Sequence, residues 1–360
     1  MAEDTGANRM TQPGLVVLVD WRLGDQPFWL SELLKERGFT VQVLGIPNYE
    51  MRNRIVKWRK LLLWWQYAVL GWRGARLARR TGSTIVAWNF IAGVFATLAS
   101  QCARAPRPAV VSLNAIAFAK GRLHNAGRAL AYRLAFATDR LWLTVNSEEL
   151  RELYEEWFGF KRSRVEVLRD CWTSAYLLGD PSEVGDPYVF SGGEASRDWP
   201  VLLQIAEECP DIPFEVVARR KYWPSALQLP ANVHVQFDTS EDAFYTLVEH
   251  SRLVLVPLKT EVTAGLIVLI RAALLGRLVI STRTPATESC YPAELRGSLS
   301  DIGDAAGLRA TLEHFWNDGS SRLHAARALY DFIHTERSPA VFADRVADLA
   351  RQAVRYNGAK

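Results

Sequence analysis

The residues best suited to chemistry in this 360-residue chain stand in two short stretches of its second half. Gly192-Gly193 follow the apolar run from Tyr188 to Phe190, and Arg197 comes shortly after, beside Asp198 and Trp199. Thr263-Ala264-Gly265 follow the run Leu253 to Val256 and open an apolar segment that ends at Leu275. Glycine at a strand end lets a ligand approach the backbone. The free N–H groups and dipole of a helix's first turn attract an anion, and a nearby guanidinium adds a full positive charge. Either segment alone is explained equally well by a plain strand-helix-strand core unit. Together they describe a cradle for a diphosphate, with Arg219 and Arg283 as further cations and Glu261 and Thr282 in the adjoining loops. A hydroxyl activated for an inverting displacement would need a base, and the first half offers Asp20, Asp25, Glu50 and His124; a retaining displacement needs none from the protein. There is no Asp-x-Asp pair, so metal independence is expected, with arginine in the role of a cation.

The elements that must position these groups are read from the apolar pattern. Leu253–Val256 reads as a strand, 264–275 as a helix stopped by Gly276, and Leu278–Ser281 as the next strand. The segment 188–218 repeats strand, glycine loop, helix and strand. Val233–Phe237 is a further strand, leading into a helix over 241–250. In the first half, 15–19 is a strand ending at Asp20, 28–37 an amphipathic helix stopped by Gly38, and 39–44 a second strand. The loop between them lacks a G-x-G-x-x-G fingerprint, which argues against a nicotinamide dinucleotide. Further strands are read at 84–87, 109–113, 141–145 and 164–168, with Trp88-Asn89 and Asn114 at carboxyl ends. Turn and capping chemistry is the first reading of Asp25, and Ser147 reads as a helix cap. A last helix starts at Ser338-Pro339, with Phe342, Val346, Leu349 and Ala353 on one face.

On these motifs the chain resembles the GT-B glycosyltransferases, specifically the family-4-like (group 1) enzymes that use sugar nucleotides. Gly192, Gly193 and Arg197 match the first signature. Pro257, Glu261, Gly265, Gly276, Val279, Ile280 and Thr282 match the second. The likeness covers most of 140–350. It implies an α/β fold with two Rossmann-like domains facing a cleft and a C-terminal helix crossing back to the first. The expected division is an acceptor domain over 1–170, a linker over 171–187, a sugar-nucleotide domain over 188–335 and the crossing helix over 336–360. It also implies a UDP- or GDP-linked donor with no other cofactor, and makes Phe237, Asp238 and Thr239 base contacts. The chain departs from the family where a Glu-x7-Glu pair would fall on Thr263 and Arg271. A guanidinium cannot accept the ribose hydroxyls, so ribose recognition there must differ.

Composition is that of a globular protein, 49% hydrophobic and 23% charged, and 360 residues suffice for two domains. The four scattered cysteines fit a reducing compartment and argue against a zinc site. Residues 1–13 lack the apolar core of a signal peptide, and the longest apolar run, 61–72, is too short to span a bilayer. The net charge of +4 conceals an asymmetry: residues 1–185 hold 25 Lys/Arg against 17 Asp/Glu, and the remainder 18 against 22. No acid occurs between Glu50 and Asp139. Within that gap, Arg52 to Arg80 mixes nine basic residues with Trp58, Trp64, Trp65, Tyr67 and Trp72. This suits an anionic membrane interface. Nucleic acid is a competing but disfavoured partner, and a helix packing its tryptophans inward is the plain structural alternative. The expectation is a cytoplasmic glycosyltransferase, peripheral at the inner face of the membrane, that acts on a polyprenyl-diphosphate-linked or other anionic acceptor. The alternatives are a catalytically silent GT-B scaffold serving another transferase, and a sugar-nucleotide epimerase.

Overall fold

The computed structural model describes residues 12–24, 27–47, 57–102, 105–113, 115, 130–158, 160–173, 178–181, 186–194, 196–224, 228–260 and 264–358. The chain divides into two units, one of Met1–Arg169 with Ala340–Lys360, the other of Asp170–Pro339.

The first unit is built on β1 (Gly14–Leu18), α1 (Trp29–Glu36), β2 (Thr40–Leu44), α2 (Lys57–Thr81), β3 (Thr84–Ala87), α3 (Phe90–Gln101), β4 (Val110–Ser112), α4 (130–136), β5 (Leu141–Val145), α5 (Glu148–Phe158) and β6 (Val165–Val167). All six strands are parallel in the order β2-β1-β3-β4-β5-β6. Strands covered on both faces must be apolar throughout, and β1, β3, β4 and β5 are buried almost end to end. Gly38 ends α1 at φ +85°, a backbone region that costs any other residue type. Asn89 caps α3 by accepting from the N–H groups of Ile91 and Ala92.

The second unit holds β7 (Asp186–Gly193), α6 (Trp199–Glu208), β8 (Phe214–Ala218), β9 (Val233–Phe237), α7 (Glu241–His250), β10 (Ser251–Val256), α8 (Leu266–Leu274), β11 (Val279–Ser281), the short α9 (Pro285–Glu288), α10 (Ala305–Asn317) and α11 (Gly319–Glu336). Its sheet is again parallel, in the order β11-β10-β7-β8-β9. The helix read from Ala264 begins at Leu266. It is not enclosed on every side as its composition suggests, because Ile267 is 62% exposed.

The last helix, α12 (Pro339–Gly358), starts where the second unit ends and belongs to the first. Phe342, Val346, Leu349 and Ala353 are all buried on its inner face. Phe342 packs edge-on against Trp29 at 5.8 Å, and Arg37 binds the Asp344 carboxylate at 2.7 Å. Two Rossmann-like units with a helix returning to the first are what the sequence resemblance implied.

Candidate functional site

In the second unit, β7 and β10 are neighbours whose connections run to opposite sides of the sheet. β7 leads through α6 to β8, and β10 leads through α8 to β11. The carboxyl ends of such strands flank the crevice where open α/β sheets bind ligands. The register pairs Val254 with Phe190, so Gly192-Gly193 and Val256-Pro257 emerge side by side.

Backbone contacts join the two loops. The Asp198 N–H donates to the Pro257 carbonyl at 3.0 Å, the Lys259 N–H to Ser196 at 3.1 Å, and Arg197 and Leu258 form an antiparallel bridge. The turn that delivers Arg197 is held on its other side by Asp198, which caps α6 by accepting from Val201 N–H at 3.3 Å. Arg197 is thereby folded back under its own loop, 4% exposed, its Nε donating to the Gly192 carbonyl at 2.8 Å.

Two glycines make room for the guanidinium. A Cβ on Gly193 would lie 2.3 Å from an Arg197 terminal nitrogen, and one on Gly265 would lie 3.4 Å from the other. Both have positive φ, +137° and +80°. Gly265 is also the N-cap of α8 and provides no side-chain cap for its first-turn N–H groups. Burial holds the Arg197 guanidinium down at about 10, with Tyr245 acting in the opposite direction. A desolvated cation thus sits between two glycine backbones beside an uncapped helix N-terminus. Such an arrangement can hold a phosphate or diphosphate.

The other residues singled out from sequence fall into distinct roles. Thr282 is 1% exposed and its hydroxyl accepts from the Leu258 N–H at 2.9 Å, so it fixes the loop after β10. Arg283 donates to the Leu299 and Arg296 carbonyls and pairs with Glu288 and Asp301, which makes it a staple for the segment after β11. Arg219 pairs with Glu194 at 2.8 Å and with Asp238 at 3.7 Å. The register places Gly193 opposite Ala218 and Ala218 opposite Phe237, which is why those three loops meet. Phe237 lies 4.2 Å beneath the Arg220 guanidinium and edge-on to Trp223. Asp238 occupies the left-handed region at φ +54°. Ala264 is half-buried beside Gly265. Glu261 and Thr263 lie outside the described residues.

Arg271, in place of a carboxylate on α8, pairs with Glu241 and lies 4.4 Å over the Tyr245 ring. Glu241 and Tyr245 escaped the sequence reading. Their only sequence signal is their i,i+4 spacing on one helix face, because the packing of α7 on α8 is what brings them to Arg271.

In the first unit β1 lies between β2 and β3, and the pairing of Leu18 with Ala87 makes Asp20 and Trp88-Asn89 emerge together. Asp20 is 8% exposed and accepts from Asn89 Nδ2 at 2.8 Å and from the Tyr67 hydroxyl at 3.3 Å. Beside it, Trp21, Phe28, Trp29 and Trp88 form a cluster of edge-on ring contacts between 5.2 and 6.2 Å. Asp25, Glu50, Asn114 and His124 lie outside the described residues. Among the described residues no group of three His, Cys, Asp or Glu side chains could hold a metal ion.

No family model matches the chain, and no curated protein matches it in sequence. Solved structures do match over nearly its whole length. Anabaena HepE, determined in complex with UDP-glucose, is 12% identical with a TM-score of 0.63, over 94% of this chain and 99% of that one. Sucrose-phosphate synthase from Thermosynechococcus elongatus is 12% identical with a TM-score of 0.66, over 95% and 99%. The lipopolysaccharide outer core galactosyltransferase WaaB is 11% identical with a TM-score of 0.61, over 94% and 99%. The fold is that of the GT-B glycosyltransferases; identities this low show the fold and not a family within it.

Proposed function

We propose that the chain transfers a glycosyl group from a UDP- or GDP-linked sugar, with the donor in the second unit and the acceptor in the first. The observation that carries this reading is the buried Arg197 guanidinium between Gly193 and Gly265, beyond the carboxyl ends of β7 and β10. HepE, which has the same fold, was solved with UDP-glucose. The barrier to glycosyl transfer lies largely in the departure of the nucleoside diphosphate. Arg197 and the first-turn N–H groups of α8 meet the growing negative charge without having to reorganise. Ala264 and Gly265, with Thr263 before them in sequence, leave the backbone ahead of α8 to the diphosphate, whereas Gly193 makes room for Arg197 and Gly192 for the Phe190 and Phe244 rings. Thr282 holds the loop after β10, and Glu261 lies on it. Phe237, Asp238 and Arg219 form the wall for the base, and Arg283 acts on the site through its loop. On the acceptor side Asp20, held by Asn89 and Tyr67, takes the acceptor proton if the displacement is inverting, with Asp25 and His124 as the further candidates. The charge is supplied by arginine, so no metal is needed. The acceptor is a lipid-linked, polyprenyl-diphosphate saccharide of cell-surface glycan synthesis. The chain meets it at the inner, anionic face of the membrane. Among the described residues no helix is long and apolar enough to cross a membrane.

The Arg271–Glu241 pair favours a second reading, a GT-B scaffold without catalysis that partners another transferase, because α8 offers no carboxylate to a ribose. Release of free nucleotide from a panel of UDP- and GDP-sugars, with a lipid-linked acceptor and EDTA throughout, separates the two. Acceptor-dependent release from one donor is the expected result. Binding without release from any donor supports the scaffold. Release that appears only when a divalent cation replaces the EDTA overturns the metal-free mechanism.

A further inference from the structure

Helix α2 runs for 25 residues, and one of its faces takes no part in the site described above. Its inner face, Leu63, Tyr67, Leu70 and Ala78, is buried against β1 and α3. The opposite face, at 3.6 residues per turn, carries positions 58, 61, 62, 65, 69, 72, 73, 76, 79 and 80. Its chemistry is divided along the helix axis and not across it. From Trp58 to Trp72 the face is apolar and open to solvent: Leu61 is 74% exposed, Trp65 67%, Trp58 65%, Trp72 54% and Leu62 45%. From Arg73 it is basic, with Arg73, Arg76, Arg79 and Arg80 all exposed. The helix has no acidic residue. The alternative of tryptophans packed inward holds for Trp64, which meets Phe95 at 6.2 Å, and fails for Trp58, Trp65 and Trp72.

Folded proteins seldom leave a contiguous run of large apolar side chains in water. Tryptophan partitions to the boundary between lipid headgroups and acyl chains, and arginine binds lipid phosphates. Nucleic acid would not cover Leu61 and Leu62, and a protein partner would have to answer four arginines with acids. We infer that the outer face of α2 inserts into the headgroup–acyl boundary of an anionic bilayer. Trp58, Leu61, Leu62, Trp65 and Trp72 enter the apolar edge, and the arginines from Arg73 rest on lipid phosphates. The apolar part spans about 21 Å at 1.5 Å per residue, long enough to lie in the interface as a whole. This inference deepens the membrane placement proposed above and is independent of the donor chemistry. It differs from docking by charge alone because binding by insertion persists at high salt, where surface charge is screened.

The test is flotation of the full chain with phosphatidylglycerol–phosphatidylcholine vesicles and with phosphatidylcholine alone, at low and high salt. The Trp58→Ser, Leu61→Ser, Trp65→Ser triple variant keeps every charge. It should nonetheless bind the anionic vesicles on the order of a hundredfold more weakly at both salt levels. The quadruple Gln variant at Arg73, Arg76, Arg79 and Arg80 should lose only the preference for anionic lipid. The chain has 13 tryptophans, so insertion is read as the quenching by brominated lipid that disappears in the triple variant. Unchanged far-UV circular dichroism and melting temperature show that the fold is intact. Wild-type binding by the triple variant overturns insertion and leaves docking by charge. Absence of vesicle binding by every form overturns both. A dimer in solution that the triple variant abolishes, without vesicle binding, assigns the face to a second copy instead. Donor turnover with a soluble acceptor should be the same in all forms, which keeps this result separate from the catalytic reading.

Discussion

Arg197 carries its charge where water cannot reach it, and that burial sets both its use and its cost. The folded value of about 10 lies below that of an ordinary arginine, so the protonated side chain destabilises the fold at neutral pH. That cost is complete below about pH 10 and is relieved as the proton leaves between there and the ordinary arginine value. A diphosphate needs the proton in place, so donor affinity should fall as pH rises through about 10. Calorimetric titration from neutral to strongly alkaline pH reads this directly, and a flat profile removes Arg197 from the site. Arg197→Ala should leave the fold intact and lower kcat/KM by the equivalent of roughly 2–4 kcal/mol, with partial recovery in Arg197→Lys. Wild-type kcat/KM in Arg197→Ala would mean that the diphosphate binds elsewhere. Gly265→Val combines a disfavoured positive φ with a Cβ 3.3 Å from Val256 Cγ1 and 3.4 Å from the Arg197 guanidinium. Donor affinity should drop at least as far as for Arg197→Ala, and equal affinity in the variant shows that no ligand approaches that backbone.

At the scale of the element, α8 shows how a helix is ended where the site needs it to be. Gly276 stands at φ +76°, and its N–H and that of Arg277 return to the Ala273 and Ala272 carbonyls. This is the left-handed stop by which helices commonly satisfy their last carbonyls. A Cβ at Gly276 would also lie 2.5 Å from the Asp180 carbonyl. Gly276→Ala should therefore cost more than the ~1 kcal/mol of the backbone conformation alone. Thermal melting followed by hydrogen exchange in β10 and β11 would show it, and an unchanged melting temperature would refute the close approach. Helix α2 lies at the other extreme: its basic and aromatic residues marked the stretch 52–80 as unusual, but neither its bounds nor which of its tryptophans face outward could be read from them.

At the scale of the molecule, each unit closes its own apolar core, and the C-terminal helix completes the first. Phe342 is 3% exposed and touches both Trp29 and Trp88, so Phe342→Ala opens a cavity among aromatic rings. The loss should be about 3–5 kcal/mol, confined to the first unit. Amide exchange should accelerate in β1 and β3 while β7 and β10 stay protected. Uniform acceleration in both units would show that they unfold as one.

The fold was legible because its determinants are local. Leu253–Val256 and 15–19 announce buried parallel strands by their apolar runs, Gly38 and Gly276 announce stops, and the alternation with helices leaves few topologies. The grouping of Gly193, Arg197 and Gly265 was within reach for the same reason, since Gly193 closes β7, Arg197 lies in the loop that follows it and Gly265 opens α8. Other features depended on residues distant in sequence and could not be read in advance. The pairing of Arg271 with Glu241 and Tyr245 exists only because α7 packs on α8. The engagement of Thr282 and Arg283 with backbone carbonyls and N–H groups of neighbouring loops follows from where β11 ends. The outward face of Trp58, Trp65 and Trp72 is settled by which side of α2 meets β1 and α3. Sequence determined which residues could form each strand, helix and stop, because those preferences act over a few residues. Tertiary packing decided which charges were neutralised and which apolar side chains stayed exposed, because burial is a property of the neighbours a residue acquires.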